Sequence, residues 1–249
     1  MPGDTASGML PGAFAWHGFS AMLISLLAIS CSHAAPLLQQ ETPRGRIQYT
    51  LHTPKTPVRH HVILAHGFLR TPETMDHIAD SLAEVGIETA CIKLKRSTPW
   101  NGNHAGNARD MIALRESLGW KNITYAGFSA GGLSVLIAAS EDPACAKLLL
   151  FDPVDHASLG KDAAAKIRIP ALAFLGKPGP GNANRNATAM LAVLPGCRIV
   201  EIPAATHCDF EARPSALCHR LTGSRPDAAR TAEVHKTLLS ESSLFLKTQ

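Results

Sequence analysis

Ser129, His207 and an aspartate lying between them in the chain have the side-chain types needed for nucleophilic attack on a carbonyl. A serine hydroxyl is a weak nucleophile. It needs a base to take its proton, and the base needs an acid to orient it. Ser129 stands in Gly127-Phe128-Ser129-Ala130-Gly131, followed by Gly132, between a β-type run from Asn122 to Ala126 and a helical run from Leu133 to Ser140. Glycines two positions either side of the serine allow a sharp strand-to-helix turn in which neighbouring backbone passes close by. Such a turn lifts the hydroxyl clear of a sheet, and the N–H groups behind it open a helix whose positive end faces any oxyanion formed there.

His207 is the expected base. It follows the last strand-like run, Arg198 to Ile202, through Pro203-Ala204-Ala205-Thr206, where a loop returns over the sheet edge. His219 and His235 also follow the serine, but His235 lies on a C-terminal helical stretch and His219 is further from the strand end. The carboxylates between Ser129 and His207 are Glu141, Asp142, Asp152, Asp155, Asp162 and Glu201. Glu141 and Asp142 fall at the far end of the helix, and Glu201 lies inside a strand. Asp152 ends the strand after the serine turn, with Pro153 fixing the chain behind it, and is the expected acid. Asp155 is the alternative, and a helix cap or surface turn is the structural role open to either. An oxyanion needs two preorganised N–H donors. Ala130 supplies one. The turn His66-Gly67-Phe68 at an earlier strand end supplies the other, from Phe68 or from Leu69, with His66 holding the loop.

The elements that must position these groups alternate. Arg46 to His52, His61 to Ala65, Glu88 to Leu94, Ile123 to Ala126, Lys147 to Phe151, Ala171 to Leu175 and Arg198 to Ile202 read as strands. Several are apolar throughout, as expected of strands buried on both faces. Helical spacing appears from Pro72 to Val85, Ala105 to Leu118, Asn184 to Leu194 and Ala228 to Leu246, and through the run behind Ser129. This alternation predicts an α/β class chain with a mostly parallel sheet of seven to eight strands covered on both faces by helices. Pro36 to Pro43 reads as a flexible lead-in.

At 249 residues, 45% hydrophobic and 18% charged, the chain can bury one large core as a single domain spanning 36–249. The net charge of +4 is dispersed without a Lys/Arg run, which argues against a nucleic-acid partner. The twelve histidines are scattered; a site at His60, His61 and His66 is disfavoured because adjacent strand residues face opposite ways, so no metal is expected. Residues 1–35 contain no Lys or Arg, carry the apolar run Phe19 to Ser30 and end in Ser32-His33-Ala34-Ala35, small residues suited to signal-peptidase cleavage. The expectation is an exported, periplasmic or secreted protein, with lipid anchoring through Cys31 or an uncleaved anchor as alternatives. Five cysteines remain after cleavage. Cys208 and Cys218 bracket a short polar loop beside His207 and are the expected disulfide.

From about residue 46 onward the chain resembles the α/β-hydrolase superfamily. The resemblance rests on His66-Gly67-Phe68, Gly127 to Gly132, Asp152-Pro153-Val154 and His207, which occur in that order. In many such hydrolases the acid follows the strand that here is Ala171 to Leu175, but the loop Gly176-Lys177-Pro178-Gly179-Pro180-Gly181 has no acid. An acid one strand earlier, in an Asp-Pro-Val run, resembles chlorophyllases and their bacterial relatives, and the His-Gly-aromatic turn is similar to that of dienelactone hydrolases. Chlorophyllases carry Ser-Arg-Gly-Gly where this chain has Ser129-Ala130-Gly131-Gly132, so chlorophyll is not implied as substrate. The resemblance implies a serine hydrolase of carboxylic esters that uses Ser129, His207 and Asp152, with Phe68 and Ala130 binding the oxyanion. It implies a small-molecule or lipidic ester as substrate, no cofactor and no stable protein partner. The segment Val154 to Ile169 is too short for a lid domain, so an open cleft is expected, with Phe68, Leu69, Trp100, Phe128 and Phe210 as candidate walls. The same three residues would also serve an acyltransferase or thioesterase, and from another class the fold can act as a non-catalytic binding protein.

Overall fold

Strand-to-helix alternation builds an eight-stranded sheet in the computed structural model, which describes residues 35–98 and 101–247. The expected signal segment falls almost wholly outside the described residues, as does Trp100. The strands are β1 (Leu37–Thr42), β2 (Gly45–His52), β3 (His60–Ala65), β4 (Ile87–Ile92), β7 (Ile123–Phe128), β8 (Cys145–Phe151), β9 (Ala171–Leu175) and β10 (Cys197–Glu201). A separate short hairpin, β5 (Arg96–Thr98) with β6 (Asn101–Gly102), follows β4. The sheet order is β1-β2-β4-β3-β7-β8-β9-β10. β1 and β2 run antiparallel, β2 meets β4 antiparallel, and every pairing from β4 to β10 is parallel.

Parallel strands need crossovers, and the helices supply them. These are α1 (Asp76–Glu84), α2 (His104–Ser117), α3 (Ala130–Glu141), α4 (Leu159–Ala164) and α5 (Thr188–Ala192), followed by α6 (Ala216–Thr222) and α7 (Ala228–Lys247). Alternation along each strand sorts its side chains between two cores. Ile63, Tyr125, Leu148, Leu150 and Ala173 point to the face covered by α2, α3, α4 and α5. Val62, Leu64, Leu149, Phe151, Leu172 and Phe174 point to the face covered by α1 and α7. α3 lies deepest, buried from Ala130 through Ala138, which explains why its sequence is apolar all round.

Two expectations are corrected. Pro36 to Pro43 is not a flexible lead-in: residues 37–42 pair with β2, and a tight turn at Gly45 (φ +89°) closes the hairpin. As an edge strand buried on one side only, β1 needs just Leu38 against the core, so it lacks the apolar signature of the central strands. The helix expected from Asn184 to Leu194 shrinks to Thr188–Ala192, because Ala183, Asn184 and Arg185 all take positive φ (47°, 55° and 59°). That detour serves the candidate site. Between β8 and β9 the only helix is α4, six residues long, so no lid domain lies there.

Candidate active site

Sharp turns at the C-terminal ends of β3, β7, β8 and β9 converge on Ser129. The serine has φ 55° and ψ −123°, a region that non-glycine residues rarely occupy. The surroundings over-determine it. Ser129 donates its N–H to the Phe151 carbonyl (3.0 Å), and its own carbonyl accepts from Gly132 (2.9 Å). The flanking glycines are steric necessities: a Cβ at Gly127 would lie 2.6 Å from the Gly131 carbonyl oxygen, and one at Gly131 would collide with the carbonyls of His66 and Ala65. α3 therefore starts directly behind the serine, and as its first residue Ala130 has an N–H with no carbonyl one turn back to bond.

The Ser129 hydroxyl lies 3.0 Å from His207 Nε2, and His207 Nδ1 lies 2.6 Å from Asp152 Oδ2. His207 opens a short 3-10 turn, His207–Phe210, six residues beyond the end of β10 at Glu201. Asp152 is completely buried at the end of β8 and, like the serine, has positive φ (41°). Asp155 is placed elsewhere: its Oδ1 accepts from the N–H groups of His156 (2.7 Å) and Gly160 (2.8 Å), a local turn that leads into α4. Of the two aspartates left open by the sequence, only Asp152 faces the histidine.

Asn182 belongs to the same cluster and was missed in the sequence. Its Nδ2 donates to both Asp152 oxygens (3.1 Å each), while Asp152 Oδ1 also accepts the Gly176 N–H (3.0 Å). Asn182 Oδ1 in turn accepts from the N–H groups of Gly179 and Arg185, and Arg185 Nε donates to the Gly176 carbonyl (2.7 Å). The run of left-handed residues after Asn182 is what brings Arg185 back. The loop that holds no acid thus holds the amide that orients the acid from the neighbouring strand. A search confined to carboxylates passes over it.

The histidine loop is pinned from below. Thr206 donates its N–H and its hydroxyl to Asp209 Oδ2 (2.7 Å each), and Asp209 is further held by Arg230 (2.7 Å) and Thr231 (2.7 Å) of α7. Burial pushes the Asp209 pKa up, but Arg230 and the hydroxyl donors outweigh it and hold the carboxyl below its ordinary range. The Cys208–Cys218 disulfide ties the residue after His207 to α6. Buried Glu211 accepts from Arg70 Nε (2.6 Å), joining this loop to the turn after β3.

That turn runs from Gly67 to Arg70, closed by the Arg70 N–H on the Gly67 carbonyl (3.2 Å), with Leu69 at φ 58°. His66 braces it: Nδ1 donates to the Gly67 carbonyl (2.8 Å), and Nε2 accepts the Leu94 N–H (3.0 Å). Burial lowers its pKa to about 4, so the ring is neutral near pH 7, as an accepting nitrogen requires. His60 instead bonds Thr124 and His61 stacks on Trp120, so the three histidines do not converge. Phe68, Leu69 and Ala130 line one cavity of about 310 Å³ together with Arg70, Lys93 and Leu94. Phe128 and Phe210 do not line it, contrary to expectation. They are 1% and 0% exposed, and the Phe128 ring packs against His207 (4.6 Å) and Phe210 (6.2 Å), forming the floor under the base.

No protein-family model matches the sequence, and no curated protein is significantly similar to it. Solved structures do match. Est1E from Butyrivibrio proteoclasticus superposes with a TM-score of 0.65 at 16% identity, covering 86% of this chain and all of its own. A dienelactone hydrolase from Anabaena variabilis gives 0.62 at 19% identity, covering 82% of this chain and 94% of its own. The chain has the α/β-hydrolase fold. An α/β serine hydrolase homologue from Coxiella burnetii, at 0.64 and 17% identity over 83% of this chain and 96% of its own, has the same architecture. At such identities the likeness is one of fold. In this chain of α/β-hydrolase fold the serine turn, the histidine loop and Asp152 all stand at the C-terminal edge of the sheet.

Proposed function

We propose that the protein is a serine hydrolase of carboxylic esters. The observation that carries this reading is the unbroken line from the Ser129 hydroxyl through His207 to buried Asp152, beside an open cavity lined by Ala130 and the Gly67–Arg70 turn. The fold neighbours support it, since they include enzymes named as esterases and a dienelactone hydrolase.

In the reaction, Ser129 Oγ attacks the ester carbonyl while His207 Nε2 takes the hydroxyl proton. Asp152 keeps the other ring proton on Nδ1, so that Nε2 presents a lone pair, and stabilises the imidazolium that forms. Asn182 and the Gly176 N–H fix the carboxylate in turn. The N–H groups of Ala130 and Phe68 receive the negative oxygen of the tetrahedral intermediate. His207 then returns its proton to the departing alkoxide, leaving an acyl group on Ser129. Water repeats the sequence: His207 takes its proton, the hydroxide adds to the acyl carbon, and the acid leaves as the serine hydroxyl is reprotonated. The substrate is a small-molecule ester, and the chemistry is complete without a cofactor. We place the protein outside the cytoplasm after loss of a signal peptide; the disulfide supports export, and among the described residues no helix is long and apolar enough to cross a membrane.

Labelling with a fluorophosphonate and turnover of a phenyl ester test this reading. Ser129→Ala is expected to lose the label and to lower kcat by roughly 10³-fold or more while the circular dichroism spectrum stays native. Undiminished turnover in that variant would falsify the assignment.

A further inference from the structure

The wall of the cavity beside Ser129 has one sign of charge. Arg70, Lys93, Lys95 and Arg96 line it, and none of its described lining residues is an aspartate or glutamate. The carboxylates nearby lie behind the wall. Asp110 is buried and holds Lys95 Nζ (3.0 Å) from the rear, while also accepting from Arg44 (2.7 Å). Glu211 is buried and holds Arg70. Lys93 bonds the neutral side chain of Gln48 (3.0 Å). With Arg44, Glu73 (which acts on His66) and Asp155 (which acts on His104) also counted from outside the lining, five cations stand against four carboxylates. The segment Lys93-Leu94-Lys95-Arg96 leaves the C-terminal end of β4 and carries this charge along the cavity rim. Between rim and serine, Phe68, Leu69, Leu94 and Ala130 form an apolar strip, bordered on the same wall by His104, Asn107 and Ser134. A low-dielectric cleft rimmed by cations concentrates anions.

We propose that the esters cleaved here carry an ionised carboxylate, joined to the scissile carbonyl by a short hydrocarbon segment, so that the chain lies on the apolar strip and the carboxylate meets Lys93, Lys95 and Arg96. This rests on the ester-hydrolase reading of Ser129. A volume of about 310 Å³ is at the small end for ligand pockets and suits a half-ester of a short dicarboxylic acid better than a long lipid chain. Hydrolysis of such a half-ester yields a dianion, which must leave past the same cations, so a rise in ionic strength acts on product release as well as on capture.

The test compares phenyl hydrogen adipate with its primary-amide analogue, which has the same length and leaving group but no charge, following phenol release. The expected ratio of kcat/KM, anionic over neutral, is at least about 10-fold at low salt and shrinks several-fold in 0.5 M NaCl, where the Debye length falls to about 4 Å. In a Lys93→Gln/Lys95→Gln/Arg96→Gln variant the ratio is expected to approach unity. Because each protein is its own reference, a loss of activity common to both esters cancels. A wild-type ratio at or below unity overturns the inference while leaving Ser129 as an ester-cleaving nucleophile. A high ratio that survives in the triple variant overturns the assignment to these three residues. Failure to cleave either ester removes the ester-hydrolase reading, and the inference falls with it.

Discussion

The loop that presents His207 and the rim that carries Lys93, Lys95 and Arg96 border the same site, yet they are built in opposite ways. The histidine loop is anchored at nearly every residue. Thr206 and Asp209 cap each other, Cys208 is bridged to α6, Phe210 is buried in the core, and Glu211 takes Arg70 from across the cleft. The rim rests on a two-strand hairpin and on exposed cationic side chains, with Asp110 the one buried carboxylate paired with them among the described residues. Proton transfer tolerates errors of only a few tenths of an ångström, so the base must be held by a network whose members are fixed themselves. Capture of a charged substrate depends on the summed field of several side chains and needs no such precision.

The largest effect is expected at the buried anchor. Asp209→Ala strands Arg230, Thr231 and the Thr206 donors, and should lower unfolding stability by about 3 kcal/mol in urea denaturation. If the loss is within about 0.5 kcal/mol, the loop is not anchored in the way described.

A pH effect sharpens the same contrast. His77 of α1 stacks on His235 of α7 (3.9 Å), whose Nε2 bonds the Glu211 carbonyl, and neither ring nitrogen of His77 has a partner among the described residues. Burial, with His235 adding to it, lowers the His77 pKa well below its ordinary 6.5. The unfolded chain therefore binds this proton more readily than the folded one. The contribution to stability is complete above about pH 6.5 and is lost as the pH falls towards the depressed folded value. His77→Phe should raise stability by about 1–2 kcal/mol at pH 5 relative to its effect at pH 8. Parallel melting curves that keep the same offset at both pH values would contradict this.

Asn182→Ala acts on geometry more than on folding. With one support of Asp152 gone, kcat should drop roughly 10-fold while KM changes little, and steady-state kinetics on a neutral ester will separate the two. The smallest effect belongs to the rim: Lys93→Gln should shift stability by no more than about 0.5 kcal/mol in thermal melts, since its one described side-chain bond is a solvent-exposed one to Gln48.

What could be read in advance follows the same division. Central strands such as β3, β7 and β8 announce themselves because both faces are buried and the chain must be apolar throughout. The serine turn is legible because its glycines answer a local steric demand. β1 is silent because an edge strand needs one apolar face at most, and the truncation of the helix before Thr188 is silent because three consecutive left-handed residues obey a distant carboxylate. Phe128 and Phe210 look like pocket walls in sequence, where nearness to Ser129 and His207 is visible but direction is not.

Residue types and order by themselves determined the α/β layering, the serine turn, the histidine and a choice between two aspartates. They do so because strand period, backbone sterics and the position of a strand end are properties of short segments. Only the tertiary structure decided that Asp152 faces His207, that Asn182 steadies it and that four cations share one cavity wall. Each of those depends on side chains brought together from different strand ends, at distances that no segment of the chain encodes alone.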